Sequence, residues 1–231
     1  MLRSAAMRSV VTGANRGIGL ELVRQLLARG EVVHAAVRDP ERADELAALG
    51  GELHIHRLDH LDPDSVQALA TALGGASIDL LVNNAGVYGG SRQHLPDIDF
   101  EDAVRTFRVN ALGPLRVTMA LLPNLKAARG KVIHVTSGMG SITDNKSGAF
   151  YAYRMAKAAL NMMSRSLGVD LRGAGVASAV INPGWVKTDM GGPGAPTPVD
   201  ESVRGMLREI DAFTIENTGA FLDWKGRPYP W

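Results

Sequence analysis

The chain has 231 residues, and its hydrophobic (45%) and charged (21%) fractions are ordinary for a globular protein, which excludes a fibrous or disordered chain. Its 25 basic and 24 acidic residues give a net charge of +1, so we expect no broad basic surface for nucleic acid or for a membrane. Cysteine is absent, which excludes disulfides, thiolate catalysis and zinc–thiolate sites.

The start of the chain carries no predicted targeting segment. Only six residues, MLRSAA, precede the first apolar run, which is too few for a secretory signal, and no apolar run approaches the roughly 18 residues of a membrane span. We therefore expect a cytoplasmic protein. The length suits one compact domain over residues 1–231, because no linker-like stretch divides the chain.

Short runs rich in β-branched residues alternate along the chain with longer stretches of helical periodicity. The predicted strands are residues 7–12, 32–37, 53–58, 78–82, 131–136 and 176–181, with a short seventh strand near 219–222. The predicted helices are a first one that ends at Gly30, then 40–49, 64–73, 101–127 and 151–172. This alternation predicts an α/β fold of the Rossmann type, with one doubly wound parallel sheet of about seven strands and helices on both faces.

A glycine-rich turn follows the first predicted strand and opens the first helix. Its glycines permit a tight turn and let backbone N–H groups approach a phosphate at the helix N-terminus. Three residues separate the first two glycines, which differs from the commoner G-x-G-x-x-G, but the position between a strand and a helix favours a dinucleotide site over a plain turn. The predicted cofactor-binding residues of this turn are Gly13, Asn15, Arg16, Gly17, Ile18 and Gly19.

The end of the second strand predicts which nicotinamide cofactor is used. Arg38 stands there and can form charge-assisted hydrogen bonds to the 2′-phosphate of NADP, with Arg16 as a second cation. Asp39 follows directly, however, and a strand that ended one residue later would favour NAD. We expect NADP(H), with an NAD-dependent alcohol dehydrogenase as the alternative.

The order and spacing of four motifs resemble the short-chain dehydrogenase/reductase family. They are TGANRGIG at 12–19, NNAG at 83–86, Ser137, and the segment from Tyr153 to Lys157. Residues 141–161 and 182–192 resemble its carbonyl-reductase-like branch, which includes C-factor and sniffer-type proteins, and the likeness covers nearly the whole chain. The resemblance implies the strand order 3-2-1-4-5-6-7. Members of the family often form homodimers through the helices that contain Asn110 and Tyr153, whereas monomeric carbonyl reductases insert a long segment before the tyrosine; the short connection from Ser137 to Tyr153 favours a dimer here.

Tyr153 and Lys157 lie four residues apart on a predicted helix, so their side chains share one face. A phenol has a pKa near ~10, and a nearby ammonium would lower it, which suits a proton donor and acceptor. The resemblance implies that Lys157 also binds the nicotinamide ribose. Tyr151 is a weaker candidate, because the residue four positions after it is Met155.

Two further polar residues complete the predicted catalytic group. Ser137 follows the strand 131–136 and can donate a hydrogen bond to the substrate oxygen, although a simple turn with Gly138, or Ser141 as the hydroxyl, would be alternatives. Asn110 precedes Pro114 by four residues; since proline has no N–H, the helix is expected to kink and leave the Asn110 carbonyl for a water. The resemblance implies a water chain toward the active-site lysine.

The remaining predicted cofactor contacts rest on the resemblance. It implies an adenine contact at Asp59, contacts beside the adenosine ribose at the NNAG loop, and contacts to the nicotinamide from a segment that begins at residue 183. The loop GGPGAPTP at 191–198 is a candidate lid over the substrate. The residues assigned in this way are Asp59, Asn83, Ala85, Gly86, Pro183, Gly184, Val186 and Thr188.

These features predict an NADPH-dependent reductase of an aldehyde or ketone, able to oxidise the alcohol in reverse. A regulatory or signalling protein that binds NADP(H) without turnover is the alternative, but cofactor binding alone requires neither Ser137 nor Tyr153. The expected partners are a small carbonyl or alcohol substrate and a second copy of the chain, with no nucleic acid, membrane or metal. Flanking apolar residues hint at an apolar pocket without identifying the substrate: Met139, Phe150, Trp185 and Met190.

Overall fold

The computed structural model describes residues 6–231, and its centre is a parallel sheet of seven strands. The strands are β1 (Arg8–Thr12), β2 (Val32–Val37), β3 (Leu53–Arg57), β4 (Leu80–Asn83), β5 (Lys131–Val135), β6 (Ala177–Asn182) and β7 (Ala220–Asp223). They lie in the order 3-2-1-4-5-6-7, so the predicted sheet and its order are confirmed. The carboxyl ends of all seven strands therefore meet at one edge of the sheet.

Helices cover both faces of this sheet. They are α1 (Gly17–Ala28), α2 (Asp44–Ala47), α3 (Pro63–Leu73), α4 (Phe100–Phe107), α5 (Gly113–Ala120), α6 (Leu122–Ala128), α7 (Tyr151–Asp170) and α8 (Val199–Ala212). Apolar residues of α1 and α8 form a buried core on one face, and those of α3, α5 and α6 form a second core on the other. Because β4 is buried along its whole length, its first three residues read as an apolar run, LLV, in the sequence.

The predicted helix 101–127 is broken where Pro114 stands. Helix α4 passes into a π-helical turn, Arg108–Leu112, and α5 begins at Gly113, whose N–H donates to the Arg108 carbonyl. Pro114, in the first turn of α5, has no N–H to donate to the carbonyl four residues before it, so a regular α-helix is interrupted here. The predicted irregularity is therefore confirmed, and it has the form of a π turn.

Three parts of the chain differ from the expectation. The predicted helix 40–49 is only a 3₁₀ turn, Pro40–Arg42, followed by the four-residue α2. Helix α8 was not predicted, nor was a small antiparallel hairpin that pairs Gln93–His94 with Asp97–Ile98. Strands of two residues are too short to show an alternating pattern.

Residues 227–229 run antiparallel along β7, the outer strand of the sheet. The Tyr229 N–H donates to the Phe221 carbonyl at 2.8 Å, and the Asp223 N–H donates to the Arg227 carbonyl at 2.9 Å. The rings of Phe221 and Tyr229 pack with centroids 4.9 Å apart. Among the helices of the described chain, residues 6–231, none is long and apolar enough to cross a membrane.

Candidate active site

A cleft of about 700 Å³ opens at the carboxyl edge of the sheet. It extends from the glycine-rich turn, past the end of β2, to the first turn of α7. Most of the residues that the sequence predicted for cofactor binding line it, although they come from distant parts of the chain. They are Gly13, Asn15, Arg16, Gly17, Ile18, Gly19, Arg38, Asp59, Ala85, Gly86, Tyr153, Lys157, Pro183 and Thr188.

The glycine-rich turn is shaped by close backbone approaches. Gly13 has a φ of 65°, and a Cβ at this position would overlap the backbone of Ala85. A Cβ on Gly19 would overlap the Gly13 carbonyl oxygen. Helix α1 begins after Arg16 without a side-chain cap, so its first N–H groups are directed at the cleft by the backbone alone. This cradle fits the diphosphate of a dinucleotide.

Three arginines line the end of the cleft nearest β2. Arg38 and Arg42 are exposed, and neither forms an ion pair with another residue of the part of the chain that the structure describes. Arg16 pairs with Asp189 at 3.1 Å, from the opposite wall. The sequence reasoning missed Arg42; its spacing from Arg38, across one 3₁₀ turn, was the available signal. This cluster fits the 2′-phosphate of NADP.

Asn84, and not Asn83, faces the cleft, which corrects one predicted contact. Asn83 is the last residue of β4, and its side chain is buried under α5, where it donates to the Thr118 hydroxyl at 3.1 Å. Asn84 lines the cleft and donates to the backbone carbonyls of Thr12 (2.9 Å) and Gly13 (3.1 Å). Successive residues of a strand point to opposite sides, so an error of one position reverses the assignment.

Two residues predicted beside the nicotinamide also lie away from the cleft wall. Gly184 packs against the indole of Trp224, and the side chain of Val186 is buried. Neither lines the cleft, because the chain turns at Gly184, where φ is 83°. Pro183 and Thr188 remain as the lining residues of this segment.

Tyr153 and Lys157 meet at the inner end of the cleft, as their spacing on α7 predicts. The Lys157 Nζ lies 5.8 Å from the centre of the Tyr153 ring and donates to the Val135 carbonyl at 2.8 Å. Both side chains are buried. Tyr151, the weaker candidate, is not among the lining residues.

Burial dominates the acidity of both groups. It lowers the pKa of Lys157 to about 8 and raises the pKa of Tyr153 to about 12. The neighbouring Ser137 hydroxyl acts in the opposite direction on the pKa of the phenol, and the nearby Tyr88 adds to its rise. The predicted lowering of the Tyr153 pKa by Lys157 is therefore not observed, because desolvation penalises the phenolate and the ammonium alike.

Ser137 lies at the end of β5, beside Tyr153. Its Oγ accepts a hydrogen bond from the Met139 N–H at 3.1 Å, so the residue also shapes the turn that the sequence suggested. The alternative hydroxyl, Ser141, is buried and donates to the Trp231 carbonyl at 3.1 Å. Of the two serines, Ser137 is the one whose hydroxyl influences the pKa of Tyr153.

Asn110 lies in the π turn and is only 1% exposed. Its amide forms two hydrogen bonds with the backbone of Val87: Oδ1 accepts from the N–H at 2.9 Å, and Nδ2 donates to the carbonyl at 2.8 Å. A Cβ on Gly86 would lie 3.2 Å from Asn110 Oδ1 and 3.7 Å from Lys157 Nζ. Asn110 thus lies close to Lys157, although its side chain braces the loop instead of lining the cleft.

His60 is a lining residue that the sequence reasoning missed. It directly follows the predicted adenine contact, Asp59, which was the only signal. The side chain is buried, and its Nδ1 donates to the Val109 carbonyl at 2.8 Å. Burial lowers the pKa of His60, so the ring is neutral in the cleft wall at pH 7.

Known proteins share this architecture. The family model described as short chain dehydrogenase matches residues 8–197. C-signal of Myxococcus xanthus is 52% identical over 167 residues, which are 72% of this chain and 100% of that protein. The crystal structure of NADPH-bound carbonyl reductase from chicken fatty liver superposes with a TM-score of 0.91 at 36% identity, covering 98% of this chain and 99% of that one. Carbonyl reductase Sniffer of D. melanogaster superposes with a TM-score of 0.92 at 31% identity, covering 98% and 100%.

Proposed function

The chain belongs to the short-chain dehydrogenase family, and from this premise we propose that it is an NADPH-dependent reductase of an aldehyde or ketone in which Tyr153 donates the proton. The observation that carries the proposal is the meeting of Tyr153 and Lys157 at the inner end of a cleft shaped for a dinucleotide, with Ser137 beside the tyrosine. The likeness to carbonyl reductases over 98% of the chain supports the substrate class.

The cofactor is NADP(H). The glycine-rich turn and the N-terminus of α1 would hold its diphosphate, Arg38 and Arg42 would bind the 2′-phosphate, and Lys157 would bind the nicotinamide ribose. The chicken carbonyl reductase that the chain resembles was crystallised with NADPH. When bound, NADPH supplies the hydride, and the protein supplies the proton and the binding of the substrate oxygen.

Ser137 and Tyr153 both act on the substrate oxygen. The Ser137 hydroxyl donates a hydrogen bond to it and stabilises the negative charge that develops there during hydride transfer. Tyr153 donates the proton. Since burial raises the pKa of Tyr153 to about 12, the phenol is protonated at neutral pH, which is the form that reduction requires. Alcohol oxidation requires the phenolate and is expected to increase with pH.

Lys157 returns a proton to Tyr153 after each turnover. Its pKa of about 8 makes it able to release a proton near neutral pH, unlike an exposed lysine. Asn110 holds the neighbouring loop beside Lys157 through its two hydrogen bonds to Val87. The π turn that contains Asn110 opens the helix at this point, where a water could carry the proton to Lys157.

A second function, NADP(H) binding in signalling without turnover, is favoured by the 52% identity to C-signal. NADPH oxidation over a panel of aldehydes and ketones distinguishes the two. We expect turnover by the wild-type protein, and a loss of at least ~100-fold in Tyr153→Phe with NADPH binding retained. Binding without turnover on any carbonyl would favour signalling, whereas activity that survives Tyr153→Phe would refute the role of the tyrosine.

We propose that two copies of the chain associate as a homodimer. Phe100 (74% exposed), Val104 and Phe107 lie along one face of α4, and Met155 and Met162 are exposed on α7, which packs against α4. Apolar side chains in such number on adjacent helices suit burial against a second copy. Analytical ultracentrifugation tests this: a dimer is expected, and Val104→Glu should yield monomers.

A further inference from the structure

Helix α7, which carries Tyr153 and Lys157, begins without an ordinary cap. The residue before it, Phe150, has left-handed backbone angles (φ 50°, ψ 43°) and provides no side-chain cap, and Ala149 is also left-handed with φ 55°. Both angles are unfavourable for residues with a Cβ. The first N–H groups of a helix have no partner within it, and because Tyr153 is buried, its N–H needs an acceptor from another part of the protein.

The buried side chain of Gln93 provides that acceptor. Its Oε1 accepts from the Tyr153 N–H at 3.0 Å, although the two residues are 60 positions apart in the chain. Gln93 is 1% exposed and lies in the short hairpin after β4. The contact is therefore a tertiary cap on the residue that bears the phenol.

The other end of the same amide is also fully bonded. Gln93 Nε2 donates to the Tyr88 carbonyl at 2.9 Å and to the Gly90 carbonyl at 2.8 Å. The ring of Tyr88 in turn packs on the ring of Tyr153 with centroids 4.8 Å apart. One side chain thus joins the backbone of Tyr153 to the loop whose aromatic ring touches the Tyr153 phenol.

We propose that Gln93 is a positioning residue for the reaction: it fixes the start of α7 and thereby the place of the Tyr153 hydroxyl in the cleft. The proposal rests on the function proposed for Tyr153. Proton transfer depends steeply on the distance between donor and acceptor, so a small shift of the α7 start slows the reaction without greatly changing cofactor binding. Gln93 itself does not line the cleft.

The test compares two near-isosteric replacements of buried amides. Gln93→Met removes all three hydrogen bonds but keeps the length of the side chain. Asn124→Leu is the matched control, because the buried Asn124 also joins two backbone carbonyls, Gly74 at 2.8 Å and Ala76 at 2.7 Å, in a region outside the cleft. Both variants lose buried hydrogen bonds, so both are expected to melt at lower temperature.

The two variants should differ in their kinetics. Gln93→Met is expected to lower kcat by about 10-fold or more, with KM for the carbonyl compound and Kd for NADPH within about 2-fold of wild type. Asn124→Leu is expected to keep kcat within about 2-fold. Amide hydrogen exchange at the start of α7 should accelerate in Gln93→Met only. If that variant does not fold, Gln93→Asn, with the same amide on a shorter side chain, is measured against the same criteria.

Each outcome of this test either supports or overturns the proposal. A kcat within about 2-fold of wild type in the folded Gln93 variant overturns the proposal, and so does an equal loss in Asn124→Leu, since the loss would then follow stability alone. Tyr153→Phe, measured in parallel, separates this result from the proposed function. If Tyr153→Phe is inactive while the Gln93 variant is fully active, only the positioning role fails. If Tyr153→Phe remains active, the proposed role of the tyrosine is refuted, whatever the Gln93 variant shows.

Discussion

Replacing Lys157 by methionine should make the protein inactive but more stable at pH 7 when no cofactor is added. Burial lowers the pKa of this lysine from 10.5 to about 8, and the side chain is only 5% exposed. At pH 7 the native state must hold a charged ammonium away from water, whereas the unfolded chain hydrates it freely. Methionine has a similar shape and no charge, so the variant avoids this cost.

The expected gain can be worked out from the pKa. A change from 10.5 to about 8 corresponds to about 3 kcal/mol, at about 1.4 kcal/mol per pKa unit. The variant also loses the hydrogen bond from Nζ to the Val135 carbonyl, which costs about 1 kcal/mol. The net gain in the free energy of unfolding at pH 7 is therefore about 2 kcal/mol, or roughly 4–8 °C in Tm for a chain of this length.

The stability gain of Lys157→Met depends on pH. Between pH 8 and pH 10.5 the unfolded state binds more protons at this lysine than the native state does, so wild-type stability rises with pH in that window. The advantage of Lys157→Met should shrink across it and disappear by about pH 10. The raised pKa of Tyr153 acts in both proteins and cancels in the comparison.

Thermal melts of the two proteins at pH 7, 8, 9 and 10 test this, with the exposed Lys126→Met as the control. The control is expected to change Tm little at any pH, since an exposed lysine pays no desolvation penalty. The reasoning is refuted if Lys157→Met is less stable than wild type at pH 7, or if its gain does not depend on pH.

Two other variants test the cofactor site and the π turn. Arg38→Ala should weaken NADPH binding by roughly 10- to 100-fold in a fluorescence titration, because it removes charge-assisted hydrogen bonds to the 2′-phosphate, and it should leave NADH binding unchanged. Arg29→Ala, at the other end of α1, is the control. If Arg38→Ala weakens the binding of NADPH and NADH equally, or of neither, the NADP assignment is contradicted. Pro114→Ala restores an N–H and should close the π turn into a regular helix, lowering kcat by more than it raises Kd for NADPH; unchanged turnover would contradict this role.

Local sequence patterns predicted the sheet well because buried parallel strands read as apolar runs. Helix α8 also had a signal: Val203, Met206, Leu207 and Ile210 recur at helical spacing and are buried, but charged residues separate them. The hairpin of Gln93 had none, since its strands have two residues each. A local pattern contains no information about hydrogen-bond partners that are distant in the chain, such as Gln93, which caps Tyr153 from 60 residues away.

The sequence predicted most residues of the candidate site but not how deeply they are buried. The spacing of Tyr153 and Lys157 shows that they share a helix face, and they do. It contains no information on how deeply both are buried, and burial determines the direction of each pKa. For the same reason Asn83 and Asn84 could not be distinguished, because the side that a residue faces depends on where its strand ends.

The covering of β7 by residues 227–229 affects how molecules of this protein can associate. An outer strand offers unpaired backbone groups to strands of other molecules, and such pairing leads to aggregation. At β7 those groups are already used within the chain. At the opposite edge, β3 presents Arg57 to solvent, and a charged side chain discourages a second strand there. Both edges of the sheet are thus poor templates for strand pairing between molecules.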